Sequence, residues 1–430
     1  MKIKVIQKSY SEVMALPRAQ HFYPRKQSMA MRLLVKAASA PDLMATHFTY
    51  DAHGMERLGK KEPALILMNH SSFIDLKIAH KIFFPRPLAT VCTSDGFIGQ
   101  LPLMRSLGCI PTQKFVSDLQ LVRDMQYALK KLGSSVLMYP EASYSFDGTC
   151  TPLPSSLGKL LKLLKVPVVT VITQGAFARD PLYNCLQLRR VKVHADVTYL
   201  LSPEEIAQKS VEELNGMLRE VFSFDNFRWQ RENAVTISEA FRADGLNRIL
   251  YKCPHCGAEG RMTGRGIHLQ CEACGKRYEL TPLGEMRALD GETAFSHIPD
   301  WYAWERDEVR REIEEGRYGL DIEVLIRMMV DYKGIYEIGR GRLRHDASGF
   351  HLTDARGELD YYQKPLSSYS LYSDYYWYEL GDMICIGDRD KLFYCFPTEG
   401  GDVVAKTRLA AEELYKLAKR EAVLEANQKA

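Results

Sequence analysis

The segment NHSSFID, residues 69–75, places a histidine and an aspartate with four residues between them. An imidazole titrates near neutral pH and can accept the proton of an alcohol, which is a poor nucleophile until that proton is taken. Such a base must be held in one tautomer and orientation, a task for a nearby carboxylate. His70 stands at the exit of an apolar stretch and Asp75 near the start of a helical one, so a turn can bring the two together. Among eleven histidines, about one H-x-x-x-x-D match is expected by chance. Asp75 also has a structural reading: with Ser72 as cap, it is the acid of an S-x-x-D capping box.

A second group could hold a metal. Cys253 and Cys256 lie in CPHCG, Cys271 and Cys274 in CEACG, with fourteen residues between the pairs. Each Cys-x-x-Cys-Gly turn can present two thiolates, and two such turns close a tetrahedron around zinc. Four thiolates leave no open coordination position, so the expected role is structural. His255 and His268 read as surface residues. The other six cysteines (Cys92, Cys109, Cys150, Cys185, Cys385, Cys395) are scattered in apolar or strand-like contexts and read as reduced, buried thiols.

The elements that must position these residues are α/β in the first half. PALILMN (63–69), SVLMYP (135–140) and VPVVTVIT (166–173) read as buried strands, with helical stretches such as SSFIDLKIAHKIFF (71–84) and SDLQLVRDMQYALKKLG between them. Gly133 can end the latter helix. Upstream, RKQSMAMRLLVKAA (25–38) reads as an amphipathic helix with Met31, Leu34, Val35 and Ala38 on one face. It either packs on its own domain or lies at a membrane interface with its basic residues near anionic head groups. In SSLGKLLKLLK, Lys159, Lys162 and Lys165 form a basic face, either solvated or in contact with donor phosphates or head groups.

The sequence therefore predicts an α/β domain over 1–250, a zinc ribbon over 251–282, a helical connector over 283–319, and a β-rich domain over 320–430 capped by a carboxyl-terminal helix. The strands-then-helix order of the last is similar to pleckstrin-homology-like or GRAM-like modules, with a barrel or sandwich expected. The net charge of +3 hides an asymmetry: roughly ten excess positive charges up to residue 250 and roughly seven excess negative ones beyond. The basic half suits an anionic membrane or a phosphate-bearing substrate, and the acidic half argues against nucleic acid. No secretory signal and no run of about 18 uncharged apolar residues is evident. The expectation is a cytoplasmic protein, peripheral to the inner face of the membrane.

Four segments together resemble a known family. NHSSFID is similar to the first motif of the glycerolipid (PlsC-like, lysophosphatidic acid) acyltransferases. LGCIPTQK (107–114) resembles the second, a glycine followed six positions later by a basic residue, here Gly108 and Lys114. YPEASYS (139–145) resembles the third, F-P-E-G-T-R-S in the family, and VPVVTVIT the fourth. The resemblance implies His70 as general base and Asp75 as its partner. It implies Glu141, Ser143 and Gly108 about the acceptor, with Lys114 facing the acceptor's anionic group. It further implies an acyltransferase-type mixed sheet with amino-terminal helices, an acyl-CoA or acyl carrier protein thioester as donor, and a lysophospholipid-like acceptor. Two departures stand out: Tyr144 replaces the third motif's arginine and Ala142 its glycine. They leave open an acyltransferase for another alcohol, or a lipid-binding protein that keeps the fold without turnover.

Overall fold

The computed structural model describes residues 3–116, 118–399 and 401–429. Ser117, at the head of the stretch read as SDLQLVRDMQYALKKLG, lies outside them, and the helix there runs Leu119–Lys130. After a short strand β1 (Val5–Gln7) and the helix Met29–Ala45, seven strands build the first sheet. They are β2 (Thr49–His53), β3 (Leu65–Met68), β4 (Leu88–Thr93), β5 (Ile110–Thr112), β6 (Ser135–Met138), β7 (Val168–Gln174) and β8 (His194–Leu201). Their order is β2-β8-β7-β3-β6-β4-β5; all neighbours are parallel except β7 and β8.

The central strands read as continuous apolar runs because both faces of the sheet are covered. Side chains alternate along β3, so Leu65 and Leu67 enter a core beneath the helices Leu119–Lys130, Leu157–Leu164 and Val211–Val221. Ile66 and Met68 enter the opposite core, beneath the helix Asp75–Phe83. All four are fully buried. The helix Met29–Ala45 packs through Ser39 and Leu43, in line with Met31 and Val35 of the predicted stripe, which are half-buried; Leu34 and Ala38 of that stripe are exposed, Leu34 by 60%.

A second sheet has four short antiparallel strands: β9 (Met262–Arg265), β10 (His268–Cys271), β11 (Arg277–Leu280) and β12 (Met286–Ala288). The helix Ile298–Glu314 follows. The third sheet comprises β13 (Leu320–Met329), β14 (Ile335–Asp346), β15 (Gly349–Asp354), β16 (Asp360–Gln363), β17 (Tyr372–Asp374), β18 (Met383–Asp388) and β19 (Lys391–Pro397). Its order is β16-β15-β14-β13-β19-β18-β17, with β1 joining β14 in parallel. The sequence suggested a barrel or sandwich; the strands instead form one sheet with two ends. It curls enough that Tyr361 of β16 meets Phe393 of β19. The helix Val404–Lys429 closes the chain.

One continuous core joins these later elements to the first domain. Tyr278 and Cys271 of the second sheet, Trp301, Val324 and Ile326 of β13, and Leu409 of the last helix share it with Phe146 and Phe177. The carboxyl-terminal sheet is thereby fixed against the exit of β6, where the site lies.

Candidate active site

The carboxyl-terminal end of a parallel sheet is where loops converge and where strand-end side chains are free to face a ligand. At the end of β3, Asn69 clasps β7: its amide donates to Thr173 O and its oxygen accepts from Thr173 N at 2.7 Å. The chain then turns, and the helix starts at Asp75, not at Ser72. Ser72 is therefore not its cap. The Asp75 carboxylate instead gathers the turn, accepting from Ser71 N at 2.8 Å and Ser72 N at 3.0 Å through Oδ2. The same oxygen lies 3.0 Å from His70 Nδ1. Oδ1 is buried and has no hydrogen-bond partner among the described residues. With Nδ1 engaged, Nε2 is the nitrogen left to accept a proton.

The imidazole lies between two tyrosines, Tyr139 at 4.0 Å and Tyr144 at 3.9 Å between ring centroids, both stacked. Its side chain remains 16% exposed, which leaves a ring edge open. Burial pulls its pKa below the ordinary histidine value, Asp75 opposes this, and Lys114 adds to the lowering. The dominant desolvation keeps the ring neutral, the state a general base requires.

His70 opens into a cavity of about 1360 Å³, larger than the roughly 300–1,000 Å³ typical of small-ligand sites. One arm is apolar, with Leu121, Val122, Met125, Leu153 and Leu160 in its wall. The mouth carries Lys159, Lys416 and Lys419 beside Leu119 and Leu163, which are 76% and 52% exposed. The far wall comes from the third sheet and includes Tyr372, Asp374 and the segment 375–379. Lys114 lines this end, its ammonium 4.1 Å above the Tyr372 ring.

Of the residues singled out from sequence, His70, Asp75 and Lys114 come together around the cavity. Glu141, Ser143 and Gly108 lie behind its surface. Glu141 is wholly buried and ties two loops together, accepting from His70 N at 3.0 Å and Thr151 N at 2.8 Å. Burial raises its pKa to about 8. Gly108 has φ +76°, and a Cβ there would come within 2.7 Å of Leu88 O, so its glycine serves the backbone. Ser143 is buried and accepts from Arg408 Nη1 at 3.3 Å. Ala142, at the position of the family's glycine, adopts φ +54°, the left-handed conformation glycine favours.

Several site residues carried no local signal. Arg408 reaches the third motif's turn from the last helix, donating also to Tyr144 O and lying 4.4 Å over Phe146. Asp95, Tyr372 and Asp374 join Lys114 from segments far apart in sequence.

The four clustered cysteines converge. Their sulfurs all lie within 4.8 Å of one another, with Cys253–Cys274 at 3.8 Å and Cys256–Cys271 at 3.7 Å. Sulfurs at about 2.3 Å from a tetrahedral zinc stand about 3.8 Å apart, so the arrangement fits that ion. Gly257 and Gly275, each with positive φ, follow the two pairs, and His255 and His268 are exposed and outside the group.

Three comparisons bear on this arrangement. No curated protein matches the chain. Among solved structures it is similar to "the 1-acyl-sn-glycerophosphate (LPA) acyltransferase, PlsC, from Thermotoga maritima", at 17% identity and a TM-score of 0.35, covering 45% of this chain and 77% of that one. The family model "Acyltransferase" matches residues 50–174. That segment runs from within β2 to the end of β7, so the part of the chain similar to the acyltransferase family is the part that bears His70, Asp75 and Lys114.

Proposed function

We propose that the protein is an O-acyltransferase that moves a fatty acyl group from an acyl-CoA or acyl carrier protein thioester to a hydroxyl of a lysophospholipid-like acceptor. The observation that carries this reading is the His70–Asp75 pair, Nδ1 to Oδ2 at 3.0 Å, at the floor of a large cavity with an apolar arm. His70 Nε2 accepts the hydroxyl proton as the oxygen attacks the thioester carbonyl. The C–S bond then breaks, the ester C–O bond is complete, and the imidazolium returns its proton to the departing thiolate. Asp75 holds the tautomer and stabilises the imidazolium. Glu141 acts behind the site by fixing the His70 backbone.

The mouth supports an interfacial enzyme on the cytoplasmic face of a membrane. Exposed Phe73, Leu119, Leu163 and Leu366 ring it together with Lys159, Lys416 and Lys419, so apolar side chains can enter a bilayer while ammonium groups meet phosphates. No helix among the described residues is long and apolar enough to cross a membrane. The cysteine group would hold one structural zinc, supplying a crosslink between two loops and no chemistry at His70.

Labelled acyl-CoA and acyl carrier protein, offered with a panel of lysophospholipids and other alcohols, test the reading. Transfer that His70→Ala abolishes is expected; no transfer by the wild type, or equal transfer by His70→Ala, overturns it. Tyr144, stacked on the imidazole where the family has arginine, favours a second reading: a lipid-binding protein without turnover. Saturable lysolipid binding with no product would identify it.

A further inference from the structure

The head-group end of the cavity holds one ammonium and two carboxylates. Lys114 has no hydrogen bond or ion pair among the described residues, yet lies within the field of Asp374 and Asp95. Asp374 is 8% exposed and accepts from Tyr375 N at 2.9 Å. Asp95 is 1% exposed; its Oδ2 accepts from Tyr372 Oη at 2.7 Å and Trp377 Nε1 at 3.2 Å. Its Oδ1 is buried with no hydrogen-bond partner among the described residues. All three side chains line the cavity. The two carboxylates are buried and the half-buried Lys114 faces the cavity, so a ligand that offers both charges completes the set.

Resting on the acyl-transfer reading above, we propose that the acceptor's head group is zwitterionic, a phosphodiester bearing an ammonium group, protonated or quaternary, with Lys114 taking the phosphate and Asp374, backed by Asp95, taking the ammonium.

Charge decides against a phosphate monoester. Such a group carries about −1.5 to −2 at neutral pH, and on Lys114 it would face two carboxylates in a water-poor pocket. Repulsion there is little screened. A phosphodiester carries a single negative charge, which Lys114 balances. A tethered ammonium then offsets Asp374, while Asp95 keeps its hydrogen bonds from Tyr372 and Trp377. Tyr376 and Tyr378 line the same cavity. Lys114 also stands 5.9 Å from the Tyr144 ring, whose other neighbour is the His70 imidazole. Lys114 and His70 thus neighbour the same ring, so a phosphate on Lys114 leaves a glycerol hydroxyl on the side of the base.

The test uses the full chain, one defined acyl thioester, and four acceptors: lysophosphatidylethanolamine, lysophosphatidylcholine, lysophosphatidylglycerol and lysophosphatidate. The two ammonium-bearing acceptors should exceed both others in kcat/KM by roughly tenfold or more. Asp374→Asn keeps an oxygen for the Tyr375 N–H and should shrink that preference by about fivefold or more. Equal use of lysophosphatidate or lysophosphatidylglycerol by the wild type overturns the proposal. So does an Asp374→Asn variant that slows all four acceptors by the same factor, the mark of a structural role. If no acceptor is acylated, the acyl-transfer reading fails. Equilibrium binding of the same four lysolipids then decides the head group: the same ranking supports the assignment and a flat or reversed ranking refutes it.

Discussion

Arg408 of the last helix donates to the hydroxyl of Ser143, 265 residues away, and so pins the turn that presents Tyr144 to the His70 ring. Its guanidinium is 2% exposed and pairs with Glu412, which Arg306 grips from the other side. The third motif lacks its arginine, but a guanidinium still reaches its turn, delivered by another part of the fold.

Replacing Arg408 by methionine removes one partner of a buried charge network while Glu412 keeps Arg306. A loss of about 3 kcal/mol is expected, read by urea denaturation, together with reduced acyl transfer as the 142–145 turn loosens. Undiminished stability would show that the network contributes nothing.

The pH profile follows from which form of His70 works. The neutral ring is the base, and burial lowers its pKa. Therefore kcat/KM should rise with pH through a midpoint below the usual histidine value of about 6.5, reaching a plateau above it. Asp75→Asn removes the group that holds the pKa up, so the midpoint should move lower while the rate falls by roughly 10²–10⁴. Tyr144→Ala exposes the ring and should move the midpoint upward.

Ala142 bears a conformational strain that its side chain creates. At φ +54°, an L-residue is disfavoured by roughly 1–2 kcal/mol relative to glycine. Part of that returns as unfolded-state entropy, so Ala142→Gly should stabilise by about 0.5–1 kcal/mol. Thermal or chemical denaturation measures it, and a loss of stability would contradict the assigned backbone.

The cysteine group should bind one zinc per chain, found by elemental analysis of the purified protein. Cys271 and Tyr278 share the core of Trp301 and β13, so losing the metal should loosen more than the ribbon. Chelation, or Cys256→Ser, should lower Tm by at least about 5 °C. A metal-free protein with an unchanged melt would remove zinc from the description.

Much of this was legible locally. Apolar runs bounded by turns marked β3, β6 and β7, because strands buried on both faces must be apolar throughout. Spacing marked the His70–Asp75 turn and the Cys-x-x-Cys-Gly pairs, since residues four or five apart on a tight turn can meet without help from the rest of the chain. The helix start was misplaced by three residues, because Asp75 uses its carboxylate for the turn's N–H groups while Ser72 is not a cap.

What the sequence determined by itself is the set of groups able to do chemistry and the short strands and turns that present them, all matters of local backbone and side-chain preference. What only the tertiary structure decided is what surrounds them. Arg408 reaches Ser143, Asp374 and Asp95 gather at Lys114, and Glu141 turns away from the cavity to hold the backbone of His70. Those relations depend on how the carboxyl-terminal sheet and helix pack against the first domain through one shared core. Apolar packing carries no record in sequence spacing of which distant residues it will bring together.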